Sequence, residues 1–201
     1  MAARFFHAHT QKEGISEMTQ WEKMVRGEPY DPIDPELTAL LQRSRVLCHK
    51  LGLLSPDQSE ERRALLTELL GSVPGQFSIQ PGFKCDYGKN IFVGEGFFAN
   101  YNLVILDCAP VTFGERVLVG PNCGFYTAIH PLDAAQRSSG QESASPITVG
   151  DDVWLGGNVT VLPGVTIGNG AVIGAGSVVT RDIPAHVLAV GNPCRVVKEL
   201  T

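Results

Sequence analysis

Five histidines stand in this chain of 201 residues: His7, His9, His49, His130 and His186. An imidazole is the usual general base near neutral pH, so these are the first places to look for proton-transfer chemistry. His7 and His9 lie close to the first residue, and His49 falls inside a helical pattern. His130 closes the run Tyr126-Thr127-Ala128-Ile129-His130 and is followed by an irregular stretch, Pro131 to Pro146. A base at the end of a strand, roofed by a loop that keeps water out, is well placed for catalysis. The plainer alternative is a surface histidine beside a loop. Nucleophilic catalysis has less support, because no serine or cysteine carries a nucleophile motif. The five cysteines (Cys48, Cys85, Cys108, Cys123, Cys194) are odd in number, widely spaced and without a CxxC pair. They read as reduced thiols of a cytoplasmic protein and not as a disulfide framework.

The elements that must position His130 are announced by composition. Hydrophobic residues make up 43% and charged residues 18%, which excludes wholesale disorder. No apolar run is long enough to span a membrane. A net charge of −5 offers no footprint for nucleic acid. Twenty-two glycines with only 7% aromatics call for a repeat.

That repeat has a period of six. From Tyr87 it runs YGKNIF, VGEGFF, ANYNLV, ILDCAP; after a two-residue slip at Val111-Thr112 come FGERVL, VGPNCG and FYTAIH. Residues 131–146 interrupt it and two further residues restore its phase. VGDDVW, LGGNVT, VLPGVT, IGNGAV, IGAGSV and VTRDIP follow. Glycine recurs at the second position, and the fifth is apolar except for Ser177. Such a period predicts a mainly β protein: a parallel β-helix in which each hexad makes one face and three hexads close a triangular coil. Val149, Val153, Leu155, Val159, Val161, Val165 and Ile167 should stack inside. Corner glycines should supply backbone angles that a β-carbon forbids. Four to five coils are expected, covering residues 73–186 with 131–146 as an inserted loop. His130 then ends a hexad and points outward.

Residues 1–17 read as a disordered extension without a secretory h-region. Residues 18–72 form a helical segment. Asp34-Pro35-Glu36 has the N-cap, the proline and the acid of a helix start, and leucines at spacings of three and four run to Gly52. Ser55-Pro56-Asp57-Gln58 opens a second helix that ends near Gly71. These helices should cap one end of the coil stack, and the tail 187–201 with its Gly191-Asn192-Pro193 turn the other. Phe98, Tyr101 and Trp154 point outward and suggest contact between copies.

These hexads resemble the left-handed β-helix of hexapeptide acyltransferases. The resemblance narrows to the maltose and galactoside O-acetyltransferases through Cys85-Asp86-Tyr87-Gly88, Phe97 to Asn102, Tyr126 to Pro131, and Gly191 to Val196. The segment Glu22 to Tyr30, with its Gly27-Glu28-Pro29-Tyr30 element, points the same way. The resemblance implies an acetyl-CoA-dependent O-acetyltransferase, a homotrimer with sites between subunits, acting on a sugar hydroxyl without a metal. His130 matches the family's catalytic histidine, and Gly157 the backbone N–H that holds the oxyanion. Asn100 and Asp86 match positions that hold sugar hydroxyls; turn roles are the alternative for both. Asp34 resembles an acidic residue of the N-terminal segment, although an N-cap role accounts for it equally. Ala175, Thr180, Arg181, Arg195 and Lys198 fall at CoA contacts, where basic groups suit phosphates; solvated surface charge is the alternative. Cys108 stands where galactoside enzymes carry a second aspartate, and Leu41 where the family's N-terminal helix carries an arginine.

Other readings of the same hexads are open. A zinc carbonic anhydrase needs three histidines, and only His130 and His186 lie in or after the repeat. A chloramphenicol- or streptogramin-acetylating enzyme would share the mechanism but usually lacks such an N-terminal cap. A serine acetyltransferase would carry a longer helical domain. A non-catalytic sugar-binding trimer would have no use for His130 beside its loop.

Overall fold

The computed structural model describes residues 18–201; the extension expected over 1–17 lies outside the described residues. The hexads form a left-handed parallel β-helix with three flat faces. Face 1 stacks β1 (Phe77–Ile79), β4 (Phe97–Ala99), β7 (Leu118–Val119), β12 (Trp154–Leu155), β15 (Val172–Ile173) and β17 (Val187–Val190). Face 2 stacks β2 (Lys84–Cys85), β5 (Val104–Leu106), β8 (Gly124–Tyr126), β13 (Thr160–Val161) and β16 (Val178–Val179). Face 3 stacks β3 (Ile91–Phe92), β6 (Val111–Phe113), β11 (Ile147–Val149) and β14 (Thr166–Ile167). Six strands on face 1 exceed the expected four to five coils, because a further coil precedes Tyr87. The tail strand β18 (Arg195–Glu199) turns back antiparallel on β17.

The apolar stack runs as the period requires. Val149, Val153, Leu155, Val159, Val161, Val165 and Ile167 are all buried. Each is worth roughly 1.5–3 kcal/mol against exposure. Ser177, the polar exception, is fully buried; its Oγ donates to the Gly174 carbonyl at 2.6 Å and accepts from Gly191 N–H at 3.0 Å.

The corner glycines are of two kinds, and the special angles expected of them belong to Gly88, Gly96, Gly164, Gly170 and Gly176. The left-handed backbone falls at the fourth hexad position, on Gly96, Arg116, Asn122, Asp152, Asn158, Gly170 and Gly176. Second-position glycines, Gly88 apart, keep ordinary angles and are required by close stacking of coils. A Cβ on Gly156 would sit 2.7 Å from the Ala175 nitrogen.

The coils are also unequal, and the inequality is confined to one edge. Strand partners lie 20 residues apart early in the stack (Lys84 with Val104, Val104 with Gly124) and 18 apart later (Thr160 with Val178). Val111 and Thr112 are paired in β6, so the excess lies in Asp107 to Pro110, not at the slip read from the sequence. Residues 86–90 carry the same excess one coil earlier. The inserted loop leaves the same edge one coil later, through β9 (Ala128–Ile129), α4 (Ala134–Ser138) and β10 (Ser143–Ala144). Three enlarged turns are thus superposed where face 2 meets face 3.

The N-terminal helices close this region. Helix α2 (Pro35–Leu53) starts at the Asp34 cap, and α3 (Ser59–Leu69) follows. Leu47, Leu51, Leu66 and Leu69 extend the core over the first coil. Helix α1 (Gln20–Val25) is held by a Thr19–Glu22 capping box. Met24, Tyr30 and Leu37 pack with Tyr87, Cys108, Ala109 and Ala144 in a second cluster on the enlarged edge.

The outward faces differ in kind. Face 1 presents Phe98, Leu118, Trp154, Val172 and Leu188 in one paired row, with Leu118 47% and Trp154 54% exposed. Face 3 presents Thr112, Thr148 and Thr166 in the equivalent row. No described helix is long and apolar enough to cross a membrane.

Candidate active site

The enlarged edge is organised by a carboxylate that periodicity did not single out. Asp107 is fully buried. Its Oδ1 accepts from the N–H groups of Asp86 (3.1 Å) and Tyr87 (2.9 Å), and its Oδ2 from Asn90 N–H (3.3 Å). Asn90 Nδ2 donates back to the Asp107 carbonyl at 2.8 Å. One side chain therefore ties two enlarged turns together. Burial pushes its carboxyl up to about 6, against the pull of those N–H donors. Thr127 anchors the third turn: its Oγ1 donates to the Leu106 carbonyl at 2.6 Å and accepts from Ala109 N–H at 2.9 Å.

On this frame a polar row leads to the histidine. The Tyr30 and Glu142 backbones pair across two separate parts of the chain, and the Tyr30 hydroxyl donates to Glu142 Oε2 at 2.8 Å. Glu142 Oε1 faces His130 Nδ1 at 3.6 Å, with the imidazole 59% exposed. This is an ion-pair distance longer than a good hydrogen bond. A carboxylate opposite Nδ1 favours the tautomer whose Nε2 lone pair is free to take a proton. Burial keeps Tyr30 protonated far above its usual range, so it acts as a donor. Cys108 lies 3.8 Å from Asp86 Oδ2, and burial pushes its thiol up to about 12. It is a protonated thiol and a poor nucleophile. Burial also raises the Asp86 carboxyl above the ordinary carboxylate range.

His130 and Asp86 are thus brought to the same edge, and Tyr30, Glu142 and Cys108 join them. The other expected residues are distributed differently. Asp34 caps α2, its Oδ1 accepting from Glu36 N–H at 2.9 Å. Asn100 lies where face 1 meets face 2, and its Oδ1 accepts from Tyr101 N–H at 2.8 Å. Gly157 and Ala175 occupy that same edge, one coil apart. Among the described residues neither of their N–H groups has an acceptor. A Cβ on Gly157 would meet Pro121 no closer than 3.4 Å, so packing within the chain alone does not demand glycine there. Thr180 and Arg181 follow β16 at the opposite margin of face 2. Arg195 pairs with Val190 above the Gly157 edge, whereas Lys198 pairs with Leu188, further back along face 1. Among the described residues no cluster of His, Cys, Asp and Glu is arranged to hold a metal ion.

A left-handed β-helix with a histidine beside its inserted loop and a helical cap over the same edge defines a hexapeptide-repeat acyltransferase. Residues 23–75 match the maltose acetyltransferase hexapeptide capping motif, and residues 146–181 the bacterial transferase hexapeptide model of six repeats. A maltose O-acetyltransferase of Clostridium difficile is 46% identical, with a TM-score of 0.91 over 92% of this chain and 98% of that one. A galactoside acetyltransferase solved with coenzyme A is 38% identical, with a TM-score of 0.88 over 92% of each chain. A hexapeptide-repeat acetyltransferase of Vibrio cholerae solved with acetyl-coenzyme A is 41% identical, with a TM-score of 0.86 over 92% of this chain and all of that one. The chain belongs to the maltose and galactoside O-acetyltransferase family.

Proposed function

We infer that this acetyltransferase moves the acetyl group of acetyl-CoA to a hydroxyl of a sugar, with His130 as general base. The observation that carries the reading is the row Tyr30–Glu142–His130, which leaves imidazole Nε2 directed away from the carboxylate. His130 takes the proton of the acceptor hydroxyl while that oxygen attacks the thioester carbonyl. The tetrahedral oxyanion is held by the Gly157 N–H and collapses to an ester with cleavage of the C–S bond. The imidazolium returns its proton to the departing sulfur, giving CoA thiol. General-base assistance of this kind contributes about 10²–10⁴ in rate, and an oxyanion donor about 10²–10³.

Asp86 suits a hydroxyl-bearing acceptor as a hydrogen-bond acceptor. Gly157 and Ala175 N–H groups suit the thioester and the amides of the pantetheine arm; Thr180, Arg181 and Arg195 lie at the margins where phosphates would run. The apolar row on face 1 supports association into a homotrimer. Asn100 and His130 lie on different edges, which fits a site completed between subunits, one supplying the histidine and its neighbour the asparagine. Thiol release from acetyl-CoA over maltose, glucose, galactosides, chloramphenicol and serine tests the acceptor class. Release with sugars is the expected result; release with chloramphenicol alone would replace the reading with drug acetylation.

A further inference from the structure

Helix α2 rests on the first coil through two neighbouring contacts. Ser44 Oγ donates to the Asp86 carbonyl, and one helical turn later Cys48 Sγ lies 3.8 Å from Cys85 Sγ. This sulfur pair joins the helical cap to β2, and both thiols are buried, at 4% and 8% exposure. Two other cysteines contact oxygens instead: Cys108 faces Asp86 Oδ2 at 3.8 Å, and Cys123 the Gly156 carbonyl at 3.2 Å. Nothing in the transfer chemistry uses Cys48 or Cys85.

The two sulfurs are unequal. The Cys85 thiol donates to Cys48, which lowers the Cys48 thiol to about 7 against the opposing effect of burial. The same bond, with burial, holds Cys85 protonated well above the ordinary thiol range. A thiolate near neutral pH with a second thiol in contact is the arrangement of an attacking and a resolving cysteine.

We propose that Cys48 and Cys85 are a modification site for hydroperoxides, oxidised to a disulfide that staples α2 to β2 and weakens acceptor binding through Asp86. The Cys48 sulfur attacks the peroxide: an S–O bond forms, the O–O bond breaks, and the departing hydroxide takes the Cys48 proton as water. The Cys85 sulfur then attacks the Cys48 sulfur. The S–S bond forms, the S–O bond breaks, and the hydroxyl leaves with the Cys85 proton as a second water. Two thiols lose two electrons and one peroxide gains them. A small hydroperoxide suits a buried pair, whereas glutathione disulfide is too bulky to reach it. Closing the sulfurs to the about 2.05 Å of a disulfide draws α2 and β2 together. Asp86 follows Cys85 in sequence and is bonded to both Ser44 and Asp107, so it takes the displacement. That last consequence rests on the sugar reading above; the disulfide does not.

The test exposes the protein to hydrogen peroxide or to glutathione disulfide and follows intact mass, peptide map and thiol release from acetyl-CoA with maltose. Peroxide should remove about 2 Da and link the Cys48 and Cys85 peptides. Dithiothreitol should reverse both changes, Cys48→Ala and Cys85→Ala should each abolish the link, and glutathione disulfide should leave the mass as it was. In the linked protein KM for maltose should rise about 10-fold, the size of one displaced hydrogen bond, with KM for acetyl-CoA unchanged. A mass that stays constant or only gains oxygen under peroxide, or a link between other cysteines, would overturn the proposal. A Cys48–Cys85 link with unaltered KM for maltose would overturn the coupling to Asp86. Release with no sugar, linked or reduced, would overturn the sugar reading and leave the mass readout to decide the disulfide.

Discussion

Two edges of the same coils differ in how the upper coils treat their corner N–H groups. Where face 3 meets face 1, two of the third-position N–H groups are claimed by side chains inside the chain, while those of Glu95 and Asn169 have no acceptor among the described residues. Glu115 N–H donates to Asp151 Oδ1 at 2.8 Å, and Asp151 N–H to Asn169 Oδ1 at 3.0 Å. Arg116 grips Asp152 with both Nε (2.7 Å) and Nη2 (2.9 Å). Where face 1 meets face 2, the third hexad position holds Tyr101, whose N–H goes to Asn100 Oδ1, then Pro121, which has no N–H, then Gly157 and Ala175, whose N–H groups are unclaimed among the described residues. Hexad period and coil spacing are shared, so the difference is one of side chains. Asp151 and Asn169 each close a donor of the coil below on one edge; Gly157 and Ala175 on the other offer no side-chain acceptor, and their own N–H groups stay open.

The comparison can be broken in graded steps. The largest effect is expected from Trp154→Glu, which puts a charge into the apolar row bordering the Gly157 edge. It should dissociate the proposed homotrimer and abolish transfer, while Thr148→Glu on face 3 leaves the mass in sedimentation unchanged. Next comes Gly157→Pro. Pro121 shows that this corner accepts proline one coil earlier, so the variant should fold, and loss of the N–H should cost about 10²–10³ in kcat. Unaltered kcat would remove the oxyanion role from this edge. Glu142→Gln keeps the shape but discharges the group facing His130; kcat should fall about 10-fold with acetyl-CoA KM little changed, as expected for a positioning contact within general-base catalysis. The smallest effect belongs to the edge where face 3 meets face 1. Asp151→Ala should cost about 1 kcal/mol in denaturant unfolding and leave kcat as it was.

The repeat made the coil stack legible, because an apolar fifth position every six residues leaves few other ways to bury Val153, Val159 and Val165. The first coil escaped that reading, since the two extra residues at its enlarged turn shift the phase ahead of Tyr87. Corner glycines were visible, and the backbone angles expected of them hold at positions such as Gly96 and Gly170, but the reason for second-position glycines such as Gly156 was not legible: close stacking depends on the coil above, and sequence shows only one coil at a time. His130 was recognisable from the insertion after it. Tyr30 and Glu142 were not, since they are 112 residues apart and meet only when the cap folds onto the loop. A signal did exist in part, for Tyr30 belongs to the Gly27-Glu28-Pro29-Tyr30 element and Glu142 is one of two acids in the inserted loop. Asp107 gave no warning, because a buried carboxylate that ties backbone turns follows no spacing rule.

The account stands on His130 as the base, and its most direct test is thiol release from acetyl-CoA with the best sugar acceptor, comparing wild type with His130→Ala. The variant should keep its mass, melting temperature and CoA affinity, and lose about 10²–10⁴ in kcat. A folded variant that transfers acetyl groups at the wild-type rate would contradict it.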